Sequence, residues 1–384
     1  MRKTNLATFI ILLVVVVVSC SKEKVEPLKR VPVLPSTVYK YDSIGGQVSF
    51  DATAGFDIDN QKATLGRVLF YETQLSMNNR VSCGSCHKQA VGFADDVAKS
   101  QGFDGKPTKR NSQAILNTGL QSFFFHDLRE EFLENMVLMP IADHVEMGLE
   151  DKDYMVEKIS NTDYYNDLFI NAFGDATVSA DRISDALVHF IRSMISVNSK
   201  WDVARENNFV NLNPQELRGQ DLYFHEFPCS SCHGGNNLMG GASAGENIGL
   251  DLWYSDAGTE GIDPFRNVPM NGWFKVPSLR NIEVTGPYMH DGRFKTLEEV
   301  VDFYDHGIQR HPQLSFFLRR GTNGGFFRLG ESPQDLEQNL LTGVEPLRMF
   351  MTTQQKQDLV AFMKTFTDRN FLRDPRFSDP FRGF

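Results

Sequence analysis

Two segments of the chain carry a pair of cysteines followed directly by a histidine. They read CGSCH at residues 83–87 and CSSCH at residues 229–233. Thiols at this spacing reach the two vinyl groups of one haem, and the adjacent histidine then lies under the iron as an axial ligand. One copy alone could be a zinc or redox cysteine pair, whereas two copies predict two covalently bound haem c groups. The residues expected to hold them are Cys83, Cys86, His87, Cys229, Cys232 and His233.

The remaining axial position of each iron decides what the haem does. A haem that only passes electrons has both axial positions filled, whereas a haem that reacts with peroxide keeps one position open beneath an acid–base side chain. The chemistry therefore requires a carboxylate or a histidine at the open face of one haem only.

Helices are expected to position these motifs, because apolar residues recur at helical spacing. One stripe contains Ile183, Leu187, Phe190, Ile191 and Met194, and another contains Leu359, Phe362, Met363 and Phe366. Alternating strand patterns are scarce, and the stretches 234–249 and 258–271 are rich in residues typical of loops. The expected fold is mainly α, with two cytochrome c-like haem domains and long loops.

The length of 384 residues favours two domains, each with one haem motif. We expect an N-terminal haem domain at residues 46–200 and a C-terminal haem domain at residues 201–384. The sequence LGRVLF at 65–70 precedes the first motif, and LRGQDLYF at 217–224 precedes the second. Each predicts an amphipathic helix that leads into a haem loop, which indicates an internal duplication.

The chain begins with the features of an exported lipoprotein. Arg2 and Lys3 precede an apolar run at residues 9–18, which is short for a membrane span and typical of a secretory signal. The run ends in VVSC, which resembles a bacterial lipobox, so residues 1–20 are expected to be a lipoprotein signal with lipidation at Cys20. A plain signal peptide with a coincidental cysteine is the alternative. Residues 21–45 have the polar, proline-containing composition of a linker.

Cysteine count and charge narrow the partner classes. One lipid and two haems account for all five cysteines and leave none for a disulfide. A net charge of −10 argues against nucleic acid and permits a basic protein partner, although an acidic surface that serves solubility alone is equally consistent. The signal and the lipobox-like segment predict a bacterial protein that faces the periplasm or cell envelope and contacts the membrane through its lipid only.

Further short motifs surround the haem segments. In the first half they are LGR (65–67), GFAD (92–95), RN (110–111), LN (116–117) and EMG (146–148); in the second half they are PSLRN (277–281), TGPY (285–288), HDG (290–292) and TLEE (296–299). In this order they resemble the bacterial dihaem cytochrome c peroxidase family, which includes the MauG-type enzymes, over residues 60–370. Each motif is weak alone, but the set is specific.

The resemblance implies roles for the residues that match these motifs. Glu146 matches the family's distal glutamate, which would take a proton from the near oxygen of hydrogen peroxide and return it to the far oxygen as water leaves. Asn111 and the backbone carbonyls of Thr285 and Pro287 match a calcium site between the haems, and oxygen ligands of this kind suit Ca²⁺. The N-terminal domain would then react with peroxide, and the C-terminal domain would transfer electrons.

Tyr304 stands where the family has the second axial ligand of the electron-transfer haem. Peroxidases that couple to cytochromes usually have methionine there, and the MauG-type enzymes have tyrosine. Thr296 and Glu299 predict a capped helix with Tyr304 on its inner face. Met289 is the competing ligand, and a tyrosine of the core is the remaining alternative. A phenolate would favour high oxidation states of iron, whereas a thioether would raise the potential.

Two positions depart from the family pattern. Many of the peroxidases have a histidine eight residues before the asparagine, and it blocks the reactive haem until the partner haem is reduced. Here that residue is Phe103, which cannot ligate iron, so we expect an open site unless His126 or His144 blocks it. His126 also replaces a bridging tryptophan between the haems. It oxidises less readily than an indole, and a polar contact to a haem propionate is its alternative role.

Three functions remain open at this point. The leading hypothesis is a peroxidase that reduces hydrogen peroxide to water, with electrons that a small cytochrome c or cupredoxin delivers through the haem of His233 to the haem of His87. The second is a MauG-like oxidase that uses peroxide to oxidise a protein or organic substrate. The third is a dihaem electron carrier without enzymatic activity, which predicts two six-coordinate haems. A homodimer is compatible with each of them.

Overall fold

The computed structural model describes residues 30–42, 56–239, 245–261, 270–320 and 345–381. The described residues from Pro32 onward belong to one compact unit. The expected signal with Cys20 lies outside the described residues, as do residues 21–29 and 43–45 of the expected linker. Within the described ranges, no helix is both long enough and apolar enough to cross a membrane.

Helices make up most of the regular structure, which confirms a mainly α protein. The α-helices of the described ranges are α1 (Asn60–Phe70), α2 (Cys83–Cys86), α3 (Leu133–Met136), α4 (Met139–Ala142), α5 (Lys152–Ser160), α6 (Tyr164–Phe173), α7 (Ala180–Arg192), α8 (Lys200–Glu206), α9 (Pro214–Asp221), α10 (Cys229–Cys232), α11 (Leu297–Asp302) and α12 (Thr353–Lys364). Short π-helices, Leu222–Glu226 and Phe303–Gly307, extend α9 and α11. Single 3₁₀ turns occur at Thr73–Leu75, Gln89–Val91, Thr118–Leu120, Phe316–Leu318, Phe371–Arg373 and Pro375–Phe377. Strands β1 (Gly245–Glu246) and β2 (Phe274–Lys275) form an antiparallel pair.

The same helix crossing occurs in both halves of the chain. Helix α1 packs on α7, and α9 packs on α12. A glycine lies at each crossing: a Cβ on Gly66 would be 1.9 Å from the carbonyl oxygen of Ala186, and a Cβ on Gly219 would be 2.0 Å from that of Asp358. No other residue allows backbones to approach so closely without displacement. The repeated crossing is consistent with the expected internal duplication.

Each crossing is surrounded by its own aromatic core. Phe190 packs on Phe70 and Phe377 in the first half, and Phe362 packs on Trp201 and Tyr223 in the second. The C-terminal residues Phe371, Leu372 and Phe377 belong to the first core cluster. The fully buried guanidinium of Arg67 donates from Nε to the backbone oxygen of Ser378 at 2.7 Å. The chain end is therefore anchored on the first half, while the domain boundary at residue 200 stays a prediction.

Candidate functional site

The two cysteine–histidine motifs have the same local structure. In each, the four residues from cysteine to cysteine form one helical turn, α2 or α10, and the histidine caps its C-terminus. The backbone nitrogen of His87 donates to the oxygen of Cys83 at 2.9 Å, and that of His233 donates to Cys229 at the same distance. One turn of helix thus presents two thiols and an imidazole at fixed spacing.

Both imidazoles are held in the form that suits an iron ligand. Nδ1 of His87 donates to the carbonyl oxygen of Phe93 at 2.9 Å, and Nδ1 of His233 donates to that of Pro277 at 3.1 Å. A carbonyl only accepts, so the proton lies on Nδ1 and the lone pair of Nε2 is available to a metal. Burial lowers the pKa of His233 to about 4 and also lowers that of His87, which keeps both rings neutral.

The four cysteine thiols of the two motifs are neutral. Burial raises the pKa of Cys83, Cys229 and Cys232 to about 12 and that of Cys86 to about 11, so all four are protonated at neutral pH. In the described ranges, no three residues among His, Cys, Asp and Glu are grouped so that they could bind a metal ion by themselves. The thiols of both motifs are thus available for attachment to the vinyl groups of a haem.

A large cavity opens beside the second motif, and Cys229, Cys232 and His233 line it. Its wall is largely apolar and includes Val276, Leu279, Ile282, Leu297, Val301 and Leu359. A flat macrocycle with two vinyl groups needs an apolar slot with cysteines and an imidazole at its edge. The lining therefore fits a haem attached to this motif.

Tyr304 lines the same cavity, as the sequence predicted from the helix before it. Thr296 and Glu299 form the expected capping box at the start of α11. The π-helical segment that carries Tyr304 continues the helix, so its side chain remains on the inner face. Burial, and then the neighbouring thiols of Cys232 and Cys229, raises the pKa of the Tyr304 phenol. Met289 also lines the cavity, so the competing side chains are both within it.

Glu146 lies in a loop after α4 that is held from two sides. Oδ1 of Asp143 accepts hydrogen bonds from the backbone nitrogens of Val145, at 2.8 Å, and Glu146, at 3.0 Å. On the other side, the backbone nitrogen of Phe103 donates to the oxygen of Glu146 at 2.9 Å. Gly102 packs so tightly that a Cβ there would lie 1.6 Å from the oxygen of Val145. The backbone of the candidate acid–base residue is therefore fixed.

The Glu146 carboxyl is poised to exchange protons near neutral pH. Burial, followed by the negative charge of Asp143, raises its pKa to about 7 against the opposing charge of Arg129. Burial also raises the pKa of the Cys83 and Cys86 thiols, and the charge of Glu146 adds to that effect. Glu146 is therefore close enough to the first motif to interact with its thiols.

The residues that could block the first site have different positions. The ring of Phe103 covers Gly148, where an added Cβ would lie 2.4 Å from the ring carbon Cε1, and it has no atom that could bind iron. His144 is exposed. His126 lines the cavity of the second motif, where its Nε2 donates to the carbonyl oxygen of Asn111 at 3.0 Å. Burial, and then the charge of Lys275, lowers the pKa of His126 to about 3, so its ring is neutral.

The three residues expected to bind calcium share one cavity. Asn111, Thr285 and Pro287 all line the cavity of the second motif. The amide nitrogen of Asn111 donates to the carbonyl oxygens of Val97, at 3.1 Å, and Ala98, at 3.2 Å. This orientation leaves Oδ1 as the atom that could face a cation, and the donor set suits Ca²⁺.

Two residues near the motifs were missed by the sequence reasoning. Asp143 stabilises the Glu146 loop, and Lys275 extends into the cavity of the second motif. An aspartate three residues before a loop residue could have suggested a side-chain turn around Glu146. Lys275 has no comparable signal, because only the tertiary structure reveals its burial.

The comparisons with known proteins agree with this geometry. Residues 60–208 match the sequence model of a family described as di-haem cytochrome c peroxidase. The chain is 32% identical to the methylamine utilization protein MauG of Methylorubrum extorquens over 260 residues, which are 67% of this chain and 72% of MauG. This chain belongs to the dihaem cytochrome c peroxidase family. It is therefore a peroxidase-type oxidoreductase whose family implies two c-type haems.

Other family members and a solved structure give the same assignment. The cytochrome c551 peroxidase of Nitrosomonas europaea is 33% identical over 243 residues, which are 62% of this chain and 71% of that peroxidase. The crystal structure of a MauG-like protein associated with microbial copper homeostasis superimposes with a TM-score of 0.67 at 31% identity. The superposition covers 91% of this chain and 99% of that protein. Both the peroxidase and the MauG-type branches of the family are thus similar to this chain.

Proposed function

We propose that this dihaem peroxidase reduces hydrogen peroxide to water in the bacterial cell envelope, with electrons from a small cytochrome c or cupredoxin. The overall reaction consumes one peroxide, two electrons and two protons and yields two waters. The proposal rests chiefly on Glu146, a carboxyl on a fixed backbone with a pKa of about 7 beside the thiols of the first motif. A general acid–base works best when its pKa is near the working pH.

In this proposal Glu146 moves one proton twice. A haem bound at Cys83 and Cys86 would supply the iron and the electrons for peroxide reduction. The ionised Glu146 carboxylate takes the proton from the near peroxide oxygen and then donates it to the far oxygen, which leaves as water. Asp143 and Phe103 keep the carboxylate in position through their contacts with its backbone. His87 stays neutral and keeps Nε2 available, because its Nδ1 proton is bound by the oxygen of Phe93.

The second half would receive the electrons. His233 has the same fixed tautomer as His87, and Tyr304 or Met289 lies in the cavity as a candidate second ligand. A filled second axial position suits electron transfer rather than peroxide binding. We propose Tyr304 as that ligand, on the inner face of the α11 helix. Asn111, Thr285 and Pro287 are proposed to bind one Ca²⁺ at the boundary of the two halves.

Turnover with a defined donor tests the peroxidase proposal. The purified holoenzyme is mixed with peroxide and either reduced horse cytochrome c or a reduced cupredoxin, and donor oxidation is followed optically. The proposal expects oxidation of two donor molecules per peroxide. It also expects the Glu146→Gln variant to lose most of this activity while it retains both haems by pyridine haemochrome assay. Absence of donor oxidation with every small redox protein tried would remove the peroxidase assignment.

Tyr304 also supports a second candidate, a MauG-like oxidase that uses peroxide to oxidise a protein or organic substrate. A tyrosine in the second cavity and a histidine, His126, in place of a bridging tryptophan are the features that favour it. The two candidates differ in the lifetime of the oxidising equivalents. An oxidase keeps them for seconds or longer and oxidises donors slowly, whereas a peroxidase passes them quickly to the donor. Stopped-flow spectra with and without reduced donor distinguish the two.

We also propose that Cys20 anchors the mature protein to the membrane by lipid. Its VVSC context and the polar segment that follows support this site. Metabolic labelling with a palmitate analogue in a bacterial host should label the wild type. It should not label a Cys20→Ala variant, and this variant should be recovered in the soluble periplasmic fraction. Labelling of the variant, or none of the wild type, would contradict the anchor.

A further inference from the structure

Lys275 is a buried charge in the cavity of the second motif. It lies on β2, and its side chain lines the cavity with that of His126. Its Nζ donates to Oε1 of Gln121 at 3.0 Å. Burial lowers the pKa of the ammonium to about 8. The group therefore remains largely charged at neutral pH inside a mostly apolar wall.

No carboxylate of the described residues forms a salt bridge with Lys275. Two half-buried lysines of the chain do have such partners: Lys62 is 2.7 Å from Asp185, and Lys356 is 2.7 Å from Asp302. An ammonium in an apolar environment is costly unless an anion pairs with it. The neutral amide of Gln121 cannot supply that charge. Glu246 also lines this cavity but forms no salt bridge with Lys275, so the position suits an anion that is not part of the polypeptide.

The same cavity also contains a buried amide donor that has no hydrogen-bond partner among the described residues. This donor is Nε2 of Gln113. Buried amide donors are nearly always paired, so this one also indicates an acceptor that is not part of the chain. An ammonium and an amide together match the two oxygens of a carboxylate.

We propose that Lys275 and Gln113 form a binding site for a carboxylate, and that this carboxylate is a propionate of the haem attached to Cys229 and Cys232. The attached haem occupies the cavity that these cysteines and Lys275 line together. It carries its own carboxylates into that cavity, so no free anion is required. Gln121 holds the ammonium in place, because its Oε1 accepts from Nζ of Lys275 while its Nε2 donates to the backbone oxygen of Leu116 at 3.2 Å.

The site would couple haem attachment to the packing of the two halves. Gln113 and Gln121 come from the first half of the chain, whereas Lys275 comes from the second. A propionate between them neutralises a charge that otherwise weakens this contact. The ammonium also stabilises the reduced form of the second haem, because reduction adds negative charge nearby. Lys275 is thus a positioning residue that raises the potential of that haem, whether or not the peroxide reaction proposed above is correct.

The test is a potentiometric titration of the holoenzyme in carboxylate-free buffer. Lys275→Met removes the charge and keeps most of the side-chain stem, Lys275→Arg keeps the charge, and Lys364→Met removes an exposed charge from α12 as the control. The proposal expects Lys275→Met to disfavour reduction of the second haem by about tenfold, which is a fall of about 59 mV for one electron. Lys275→Arg and Lys364→Met should stay near the wild type. Equal potentials in Lys275→Met and Lys364→Met would overturn the proposal.

Two further arms distinguish the source of the carboxylate and protect against misfolding. Titration of the wild type with succinate at constant ionic strength should not change the potential if the ligand is a propionate, whereas a concentration-dependent shift would overturn the propionate assignment in favour of a free carboxylate. If Lys275→Met fails to retain the second haem, Gln113→Leu is measured instead. Its resonance Raman propionate bending mode should shift from the wild-type position, and an unchanged mode would overturn the site.

Discussion

Oδ1 of Asp143 accepts a hydrogen bond from the backbone nitrogen of Glu146 at 3.0 Å, and the charge of the same aspartate raises the pKa of the Glu146 carboxyl. One side chain thus fixes the position of the candidate acid–base and tunes its proton affinity. The two effects are separable, because asparagine keeps the accepting oxygen and removes the charge. The effect of the Asp143 charge on the pKa of Glu146 can therefore be tested while the hydrogen bond that positions the loop is kept.

Asp143→Asn should move the pH profile of the peroxide reaction to lower pH. In the wild type the rate should rise through about pH 7, as the Glu146 carboxyl ionises and becomes a base. Without the neighbouring charge the pKa falls, so the rise should occur earlier, although burial still keeps the pKa above the usual value. Stopped-flow rates between pH 5 and 9 measure the shift. Asp153→Asn is the control, since its exposed carboxylate lies in the first turn of α5; an equal profile in both variants would contradict this role of Asp143.

Glu146→Gln should slow the reaction with peroxide by roughly 10²–10⁴-fold, the usual contribution of a positioned acid–base. The measurement is the bimolecular rate of the optical change after mixing with peroxide. Glu150→Gln, an exposed carboxyl four residues further along, should react like the wild type. A wild-type rate for Glu146→Gln would remove this residue from the mechanism.

Glu146 should also make stability depend on pH. Its pKa in the folded protein, about 7, is higher than the ordinary value of 4.5, so folding favours the protonated form. Its contribution to stability is therefore complete below about pH 4.5 and is lost as the pH rises through 7. Urea denaturation of the wild type relative to Glu146→Gln should reveal this loss between pH 4.5 and 7.5. A difference that is constant with pH would contradict the raised pKa.

Tyr304→Met should raise the potential of the second haem and change its ferric spectrum, because a thioether replaces a phenolate as the axial ligand. Spectroelectrochemistry resolves the two haems and identifies which one changes. Met289→Leu is the matched control and should leave both potentials near the wild-type values. The opposite pattern, with a change only in Met289→Leu, would make Met289 the ligand and Tyr304 a residue of the core.

Gly219→Ala should destabilise the second half, because its Cβ would lie 2.0 Å from the carbonyl oxygen of Asp358. Overpacking at such a crossing typically costs about 1–3 kcal/mol, and α9 or α12 must move apart to accept the methyl group. The free energy of unfolding in urea provides the measurement. Gln220→Ala, the next position of the same helix, should change it little. Equal values for the two variants would mean that the crossing is looser than described.

The sequence was sufficient wherever a local pattern carries the information. The spacing of the cysteines and histidines identified both candidate haem sites, and the Thr296–Glu299 capping box predicted the helix that brings Tyr304 to the cavity. The close approach at Gly219 was not predictable, because it depends on α12, which is more than a hundred residues away. The burial of Lys275 and the anchoring of Arg67 by Ser378 were missed for the same reason. Contacts between distant segments leave no periodicity in the chain.

The central claim is that the two haem sites are unequal: the site of His87 is open and served by Glu146, and that of His233 transfers electrons. Ferric EPR of the as-isolated protein, repeated after addition of peroxide with and without reduced donor, tests it most directly. We predict one high-spin and one low-spin haem, with the high-spin signal lost on addition of peroxide and lost far more slowly in Glu146→Gln. Two low-spin haems that do not respond to peroxide would contradict the account.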